Sequence, residues 1–256
     1  DVASLSMDGH SRQLLLEQVQ FVGYSTDDIE FLRGAFHNMD ADYSGTVDLD
    51  EFFDYVGELR TTISEHIFKF HDHPVGEKVT GEILDFGMFV KAISHFCLFD
   101  IELMARFFWS MIDPEGTRHA TAHDVQGLLQ MMDRQAPGVL TRNAMKLANM
   151  KLNLNPKTME SMVAFKDFYQ LCVKMPPFLY PAFKLQHALQ RKFLGQKYWE
   201  DKKVMMERAR TMVKKMRDEG SDPNMQQSKT GDDVLKAGES RKKRDRSRTK
   251  SGFKKK

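Results

Sequence analysis

The stretch DADYSGTVDLDE, residues 40–51, limits what this chain can fold into more than any other segment. It sets carboxylates at its first, third, ninth and twelfth places, a hydroxyl at the fifth and a glycine at the sixth. A calcium ion takes about six to eight oxygen ligands at ~2.3–2.6 Å, and a loop between two helices delivers them from positions 1, 3, 5, 7, 9 and 12. Here those positions hold Asp40, Asp42, Ser44, Thr46, Asp48 and Glu51. Thr46 would offer its backbone carbonyl, Asp48 would act through a water, and Glu51 is long enough to give both carboxylate oxygens. Gly45 falls where the backbone needs a positive φ, and the β-branched Val47 suits a short strand. An acidic surface turn that binds nothing is the competing reading, and helix signals on both sides weigh against it.

Before the loop, Ile29, Leu32, Phe36 and Met39 recur at three- and four-residue steps, the apolar stripe of a helix. Ser25 followed by Asp28 has capping-box spacing and predicts where that helix starts. After the loop, Phe52, Phe53 and Val56 continue an apolar face. One helix–loop–helix cannot bury its own apolar face, so partner units are expected.

TGEILDFGMF, residues 80–89, aligns with Leu84 at position 8, Asp85 at position 9 and Met88 at position 12. Methionine cannot chelate through oxygen, Glu77 would open the loop and Glu82 takes the place of glycine, so a structural mate without metal is expected. FFWSMIDPEGTRHATAHDV, residues 107–125, offers Asp113, Glu115 and Thr117 at positions 1, 3 and 5 and Asp124 at position 12. These four are candidates for weak calcium or magnesium binding. Arg118 in the place of glycine, and an Asp one methylene shorter than Glu, argue that the binding is lost. His119 and His123 lack a third ligand and read as solvated. SMVAFKDFYQLCV, residues 161–173, reads as the exit of a fourth unit, with Val163 at position 8 and Asp167 at position 12. Pro156 at its start leaves that loop without an opening carboxylate.

The first loop follows D-x-[DN]-x-[DN]-G-x5-E with Ser44 at the third acidic place. It resembles the EF-hand of the calmodulin superfamily, in particular calcineurin B-like and neuronal calcium-sensor-like proteins, over about two thirds of the chain. The resemblance implies an all-α fold with two paired EF-hand lobes, four helix–loop–helix units of which three are degenerate. It also implies Ca2+ as the cofactor and calcium-dependent engagement of another protein. The expected divisions are an N-terminal extension (1–24), lobe 1 (25–95), a degenerate lobe 2 (96–175), an amphipathic helix (176–218) and a disordered basic tail (219–256).

Charge separates body from extension. Residues 1–180 carry 15 Lys and Arg against 26 Asp and Glu, whereas residues 181–256 carry 23 against 10. Pro176, Pro177 and Pro181 mark the boundary, and residues 182–217 read as one long helix. Phe183, Leu194, Tyr198, Met205, Ala209, Met212 and Met216 share a stripe of it, and Leu185, Leu189 and Phe193 add a second apolar edge. Its first half, residues 183–199, is expected to pack on the body. Two other uses stay open: a helix lying in the protein's own groove until a partner displaces it, and an outward coiled-coil or cytoskeletal surface, against which the missing heptad counts. From residue 219 the chain is nearly devoid of apolar residues and cannot drive its own ordering. Its end, RKKRDRSRTKSGFKKK (241–256), fits a nuclear-localisation signal, an anionic lipid surface, nucleic acid, an acidic filament or a solubilising tail. No folded reader or interleaved aromatics accompany it, which argues against sequence-specific nucleic-acid recognition.

Cys97 and Cys172 sit in apolar helical contexts and read as buried, reduced thiols, which suggests an intracellular, cytoplasmic protein. No apolar run reaches the ~20 residues of a membrane-crossing helix. No GxxxxGK[ST], HExxH or GxSxG motif appears, and no enzyme is expected. The expected function is that of a calcium sensor or regulatory subunit engaging a helical segment of a partner, or its own C-terminal helix. Calcium would reorient helices 26–39 and 51–60 and bare the surface around Phe36, Phe52 and Val56. The alternative is a constitutive structural, cytoskeleton-associated protein, stapled by the ion and anchored by the long helix and tail. A calcium buffer is a third reading, disfavoured by three incomplete loops.

Overall fold

A computed structural model describes residues 8–70, 83–135, 137–138, 142–152 and 161–219, and most of them are helical. The chain divides into two compact units, Asp1–Lys203 and Val204–Lys256. The elements are α1 (Gly9–Gln18), a π-helical turn (Val19–Gly23), α2 (Thr26–Met39), β1 (Val47–Asp48), α3 (Leu49–Val56) and α4 (Thr62–Lys69). There follow β2 (Ile83–Leu84), α5 (Phe86–Leu98), α6 (Ile101–Trp109), β3 (His119–Thr121), α7 (Ala122–Gln135) and α8 (Arg142–Lys151). Then come β4 (Met162–Ala164), α9 (Phe165–Lys174), a 3-10 turn (Pro176–Leu179), α10 (Tyr180–Lys192) and α11 (Gln196–Glu219).

Short polar side chains start several of the helices by satisfying amides that have no partner within the first turn. Ser25 Oγ accepts from the Asp28 amide at 3.2 Å while Asp28 Oδ2 accepts from the Ser25 amide at 2.8 Å, the box that the spacing predicts. Asp48 and Glu51 make the same reciprocal pair at the start of α3. Two antiparallel ladders then join the segments. Val47 lies opposite Leu84, and Ala120 lies opposite Val163. The loop after α2 is thereby tied to the segment before α5, and the loop after α6 to the segment before α9.

Behind the ladders the apolar faces merge into one core that runs from Leu15 to Trp199. Phe36 meets Phe86 edge-on at 5.5 Å and Phe89 at 5.6 Å, and Phe52 meets Phe68 at 4.9 Å. Trp109 packs against Phe165 and Phe168. Both cysteines are buried and free. Burial raises the Cys97 thiol far above its ordinary pKa and pushes Cys172 up to about 12, so neither is poised as a nucleophile.

Residues 1–24, set apart by sequence as an extension, contain α1, which packs along α5 with Leu14 and Leu15 buried. The contact is close at Gly87, where the Ser11 hydroxyl accepts from the Gly87 amide at 2.9 Å and donates to Asp85 Oδ1 at 2.8 Å. The sequence gives little notice of this docking, because it turns on a bare Cα.

The single helix expected over 182–217 is two. α10 ends at Lys192, Phe193 leaves the helical path, and Leu194 (φ 65°) and Gly195 (φ 90°) turn the chain before α11 begins. The Phe193 carbonyl accepts from the Trp199 indole at 2.7 Å, which closes the turn over a buried ring. Gly195 was the one legible breaker, since only glycine takes positive φ without strain. α10 is fixed to α5 by buried glutamines. Gln186 Nε2 donates to the carbonyls of Phe96 at 2.7 Å and Phe99 at 3.0 Å, and Gln190 Nε2 donates to that of Cys97 at 2.7 Å. The last carbonyls of a helix lack partners along the chain, and leaving them dry would cost about 1–3 kcal/mol each.

Two measurements check this packing. A Cβ on Gly87 would lie 2.3 Å from the Ser11 carbonyl oxygen, so Gly87→Ala should lower stability by about 1–3 kcal/mol in chemical denaturation. Gly34→Ala in α2, with nothing within 4 Å, should be neutral or stabilising by up to ~1 kcal/mol. His66 of α4 bonds to Ser110 Oγ at 2.7 Å and lies 5.1 Å from the Phe107 ring. Burial, helped by the charge of Lys69, lowers its pKa to about 4. The unfolded chain takes this proton near pH 6.5 and the folded one only near 4. His66 therefore contributes full stability above about pH 6.5 and loses it as the pH falls towards 4, up to ~3 kcal/mol in all. His66→Gln should flatten the stability profile across that window.

Candidate metal centre

The loop from Asp40 to Glu51 is organised by its own acidic side chains. Asp40, which caps the end of α2, accepts from the Ser44 amide at 2.8 Å through Oδ1 and from the Gly45 amide at 2.9 Å through Oδ2. These bonds bend the chain back over the carboxylate, with Tyr43 at φ 57° and Gly45 at φ 82°. Asp42 Oδ1 accepts from the Ser44 amide at 3.0 Å. The Ser44 hydroxyl and amide hold the Asp42 carboxyl below its usual pKa, so it stays ionised beside the other acids. Ser44 Oγ stands 3.3 Å from Asp40 Oδ1 and 3.0 Å from the Thr46 carbonyl oxygen. Glu51 spans the loop, its Oε1 accepting from the Ala41 amide and its Oε2 from the Asp48 amide, each at 3.0 Å.

Asp40, Asp42 and Glu51 each bring an oxygen within 4.8 Å of the other two. Oxygens ~2.3–2.6 Å from one ion stand at most about 5 Å apart, so this spacing suits a single hard cation. The set is all oxygen, with three carboxylates, the Ser44 hydroxyl and the Thr46 carbonyl and without nitrogen or sulfur, which matches calcium or magnesium rather than zinc. The residues fit the ion. Asp48, expected to act through a water, is outside the group of three carboxylates, and its Oδ1 accepts from the Glu51 amide at 2.8 Å, capping α3.

Of the second candidate set, Asp113 and Thr117 meet, while Asp113, Glu115 and Asp124 form no common group. Asp113 reproduces Asp40, accepting from the Thr117 amide at 2.9 Å and from the Arg118 amide at 2.7 Å, and Arg118 takes φ 63° where the first loop has glycine. Thr117 Oγ1 donates to Asp113 Oδ1 at 2.9 Å, and the Trp109 indole donates to Asp113 Oδ2 at 3.0 Å. Burial raises the Asp113 pKa, but the bonds from Thr117, Trp109 and Arg118 outweigh it and the net shift is downward. Asp124 Oδ2 is taken by Thr121 Oγ1 at 2.6 Å. Among the described residues the Asp40, Asp42, Glu51 group is the one convergence of three such side chains. His119 and His123 are exposed and belong to no cluster. The second loop keeps Asp85 as the cap of α5, accepting from the Met88 amide at 2.8 Å, while Glu77 and Glu82 lie outside the described residues. In the fourth, Asp167 is exposed on α9, and Pro156 lies outside the described residues.

Beside the first loop runs an apolar groove that sequence reasoning did not resolve. Phe193 fills it, 6.3 Å from Phe52, 6.2 Å from Tyr55 and 5.2 Å from Phe89 between ring centroids. Lys192 Nζ sits 4.0 Å above the Tyr55 ring, and Lys184 pairs with Glu58 at 3.0 Å. Beyond the turn, Tyr198 donates to Asp28 Oδ2 at 3.0 Å and Lys202 to the Gly23 carbonyl at 2.8 Å. Of the three residues expected as the surface bared by calcium, Phe52 is buried against Phe193, Phe36 is buried against Phe86 and Phe89, and Val56 is half-buried. The signal was the second apolar edge Leu185, Leu189, Phe193, whose target no local pattern specifies. No described helix is long and apolar enough to cross a membrane. Comparison with protein-family models and with curated proteins finds no match.

Proposed function

We propose that the chain is a calcium-binding regulatory protein of EF-hand type. The convergence of Asp40, Asp42 and Glu51 in a loop shaped by Gly45 carries this reading. Asp40, Asp42, Ser44, the Thr46 carbonyl and Glu51 would hold the ion, with Asp48 in reach through a water. The bound ion would supply the positive charge that offsets repulsion among the three carboxylates. Val47 paired with Leu84 and Ala120 paired with Val163 support a reading as two pairs of hands. The groove of the first pair holds Phe193, so a partner helix must compete with the protein's own C-terminal segment for Phe52, Tyr55 and Phe89. The protein thus engages a helical target by exchange rather than by uncovering an open surface. A constitutive structural role is the second reading. The buried Gln186 and Gln190 bonds favour it, because they hold α10 in place whatever the state of the loop.

Calorimetric titration with calcium should give one strong site, lost in Glu51→Gln; an unchanged isotherm sinks the reading. With Trp109 replaced by Phe, emission from Trp199 reports on the groove segment alone. Exchange requires that a helical peptide and calcium together shift this emission and that Phe193→Ala raise peptide affinity about ten-fold. A calcium-binding protein whose Trp199 emission never moves would be the structural staple instead.

A further inference from the structure

The part of α11 that belongs to the second unit carries an apolar stripe that is not part of the core among the described residues. From 204 to 217 every side chain except Met206 is exposed, with Met205, Met212 and Met216 each at 62% and Val213 at 58%. At about 100° per residue, Met205, Ala209, Met212 and Met216 fall within about 60° of one another, and Val213 and Met206 widen the stripe on one side. Arg208 and Lys215 border one edge, Arg210 and Arg217 the other. These residues and Lys214 make five basic groups against the single acid Glu207. A helix surrounded by water gains nothing from such an arrangement.

We propose that this face of α11 is a membrane-binding surface, lying in the headgroup region of an anionic bilayer with its methionines towards the acyl chains. Three observations select that occupant. A second copy of the helix is opposed by charge, since both edges of the stripe are basic and either orientation sets cation against cation. A pocketed acidic groove on a protein is matched poorly, because residues 200–219 contain no Phe, Trp, Tyr, Leu or Ile to serve as an anchor. A lipid interface has no pockets and rewards summed apolar area and positive charge, both of which this face offers. The basic run at 241–256 supplies a second electrostatic signal in the same unit, and stable attachment to lipid generally takes two. The surface shares no residue with the cation loop and does not depend on what that loop binds.

The test is partition of the full chain into phosphatidylcholine vesicles with and without phosphatidylserine, at low and raised salt. Binding should need phosphatidylserine and weaken with salt. Each basic residue near an anionic surface is worth about five-fold, so Arg208→Gln with Lys215→Gln should weaken binding about ten-fold or more. Met212→Gln with Met216→Gln should cost a similar factor while circular dichroism keeps the fold, since both side chains are exposed. Removing residues 241–256 should weaken binding and leave its dependence on the methionines intact. Equal affinity for neutral vesicles, or indifference to the methionine pair, would overturn the proposal. So would saturable one-to-one binding to a soluble acidic groove protein such as calmodulin with no vesicle partition.

Discussion

A helix–loop–helix segment presents an apolar face that it cannot cover alone, and everything else in the first unit follows from how that face is closed. The ladders do the placing. Two or three residues of strand contribute little binding energy, yet Val47 opposite Leu84 and Ala120 opposite Val163 fix which faces meet. All four residues are buried, so a one-residue slip would turn apolar side chains outward and polar ones in. From the first ladder, α2, α3 and α5 meet through Phe36, Phe52, Phe86 and Phe89.

The face left over between α3 and α5 is closed by the C-terminal segment. Phe193 completes an aromatic set that would otherwise stand in water, and Trp199 seals the turn that carries it. The fastening is polar where the filling is apolar: buried glutamine side chains satisfy the last carbonyls of α5, a job water cannot do there. One segment thus touches both helices that flank the acidic loop, α2 through Tyr198 and Asp28, and α3 through Phe193 and Tyr55. In the proposed exchange, any target must replace these contacts as a set.

Comparison of the two described loops separates shape from charge. Asp40 and Asp113 fold their loops by the same bonds to the amides four and five residues on. The first loop then adds Asp42 and Glu51 at close range. In the third, Asp124 accepts from Thr121 and Trp109 occupies an oxygen of Asp113. The bonds to Asp113 shape the turn even with Arg118 in a left-handed conformation that favours glycine.

Much of this was written locally. The start of α2 at Ser25, the alignment of Val47 with Leu84, and the helical stripe through Ile29, Leu32, Phe36 and Met39 were all legible, because caps, turns and periodicity depend on neighbours a few residues away. So was the convergence of Asp40, Asp42 and Glu51. The docking of α1 on Gly87, the break at Phe193 and the partners of Gln186 and Gln190 were not. Each joins residues about seventy to ninety or more positions apart, and the pattern that buries a side chain does not name what buries it. The sequence by itself determined the helices on either side of the acidic loop and the oxygen donors that the loop offers. Only the tertiary structure decided which faces meet and what fills the groove, because those choices are made by shape and by leftover polar groups once distant segments are brought together.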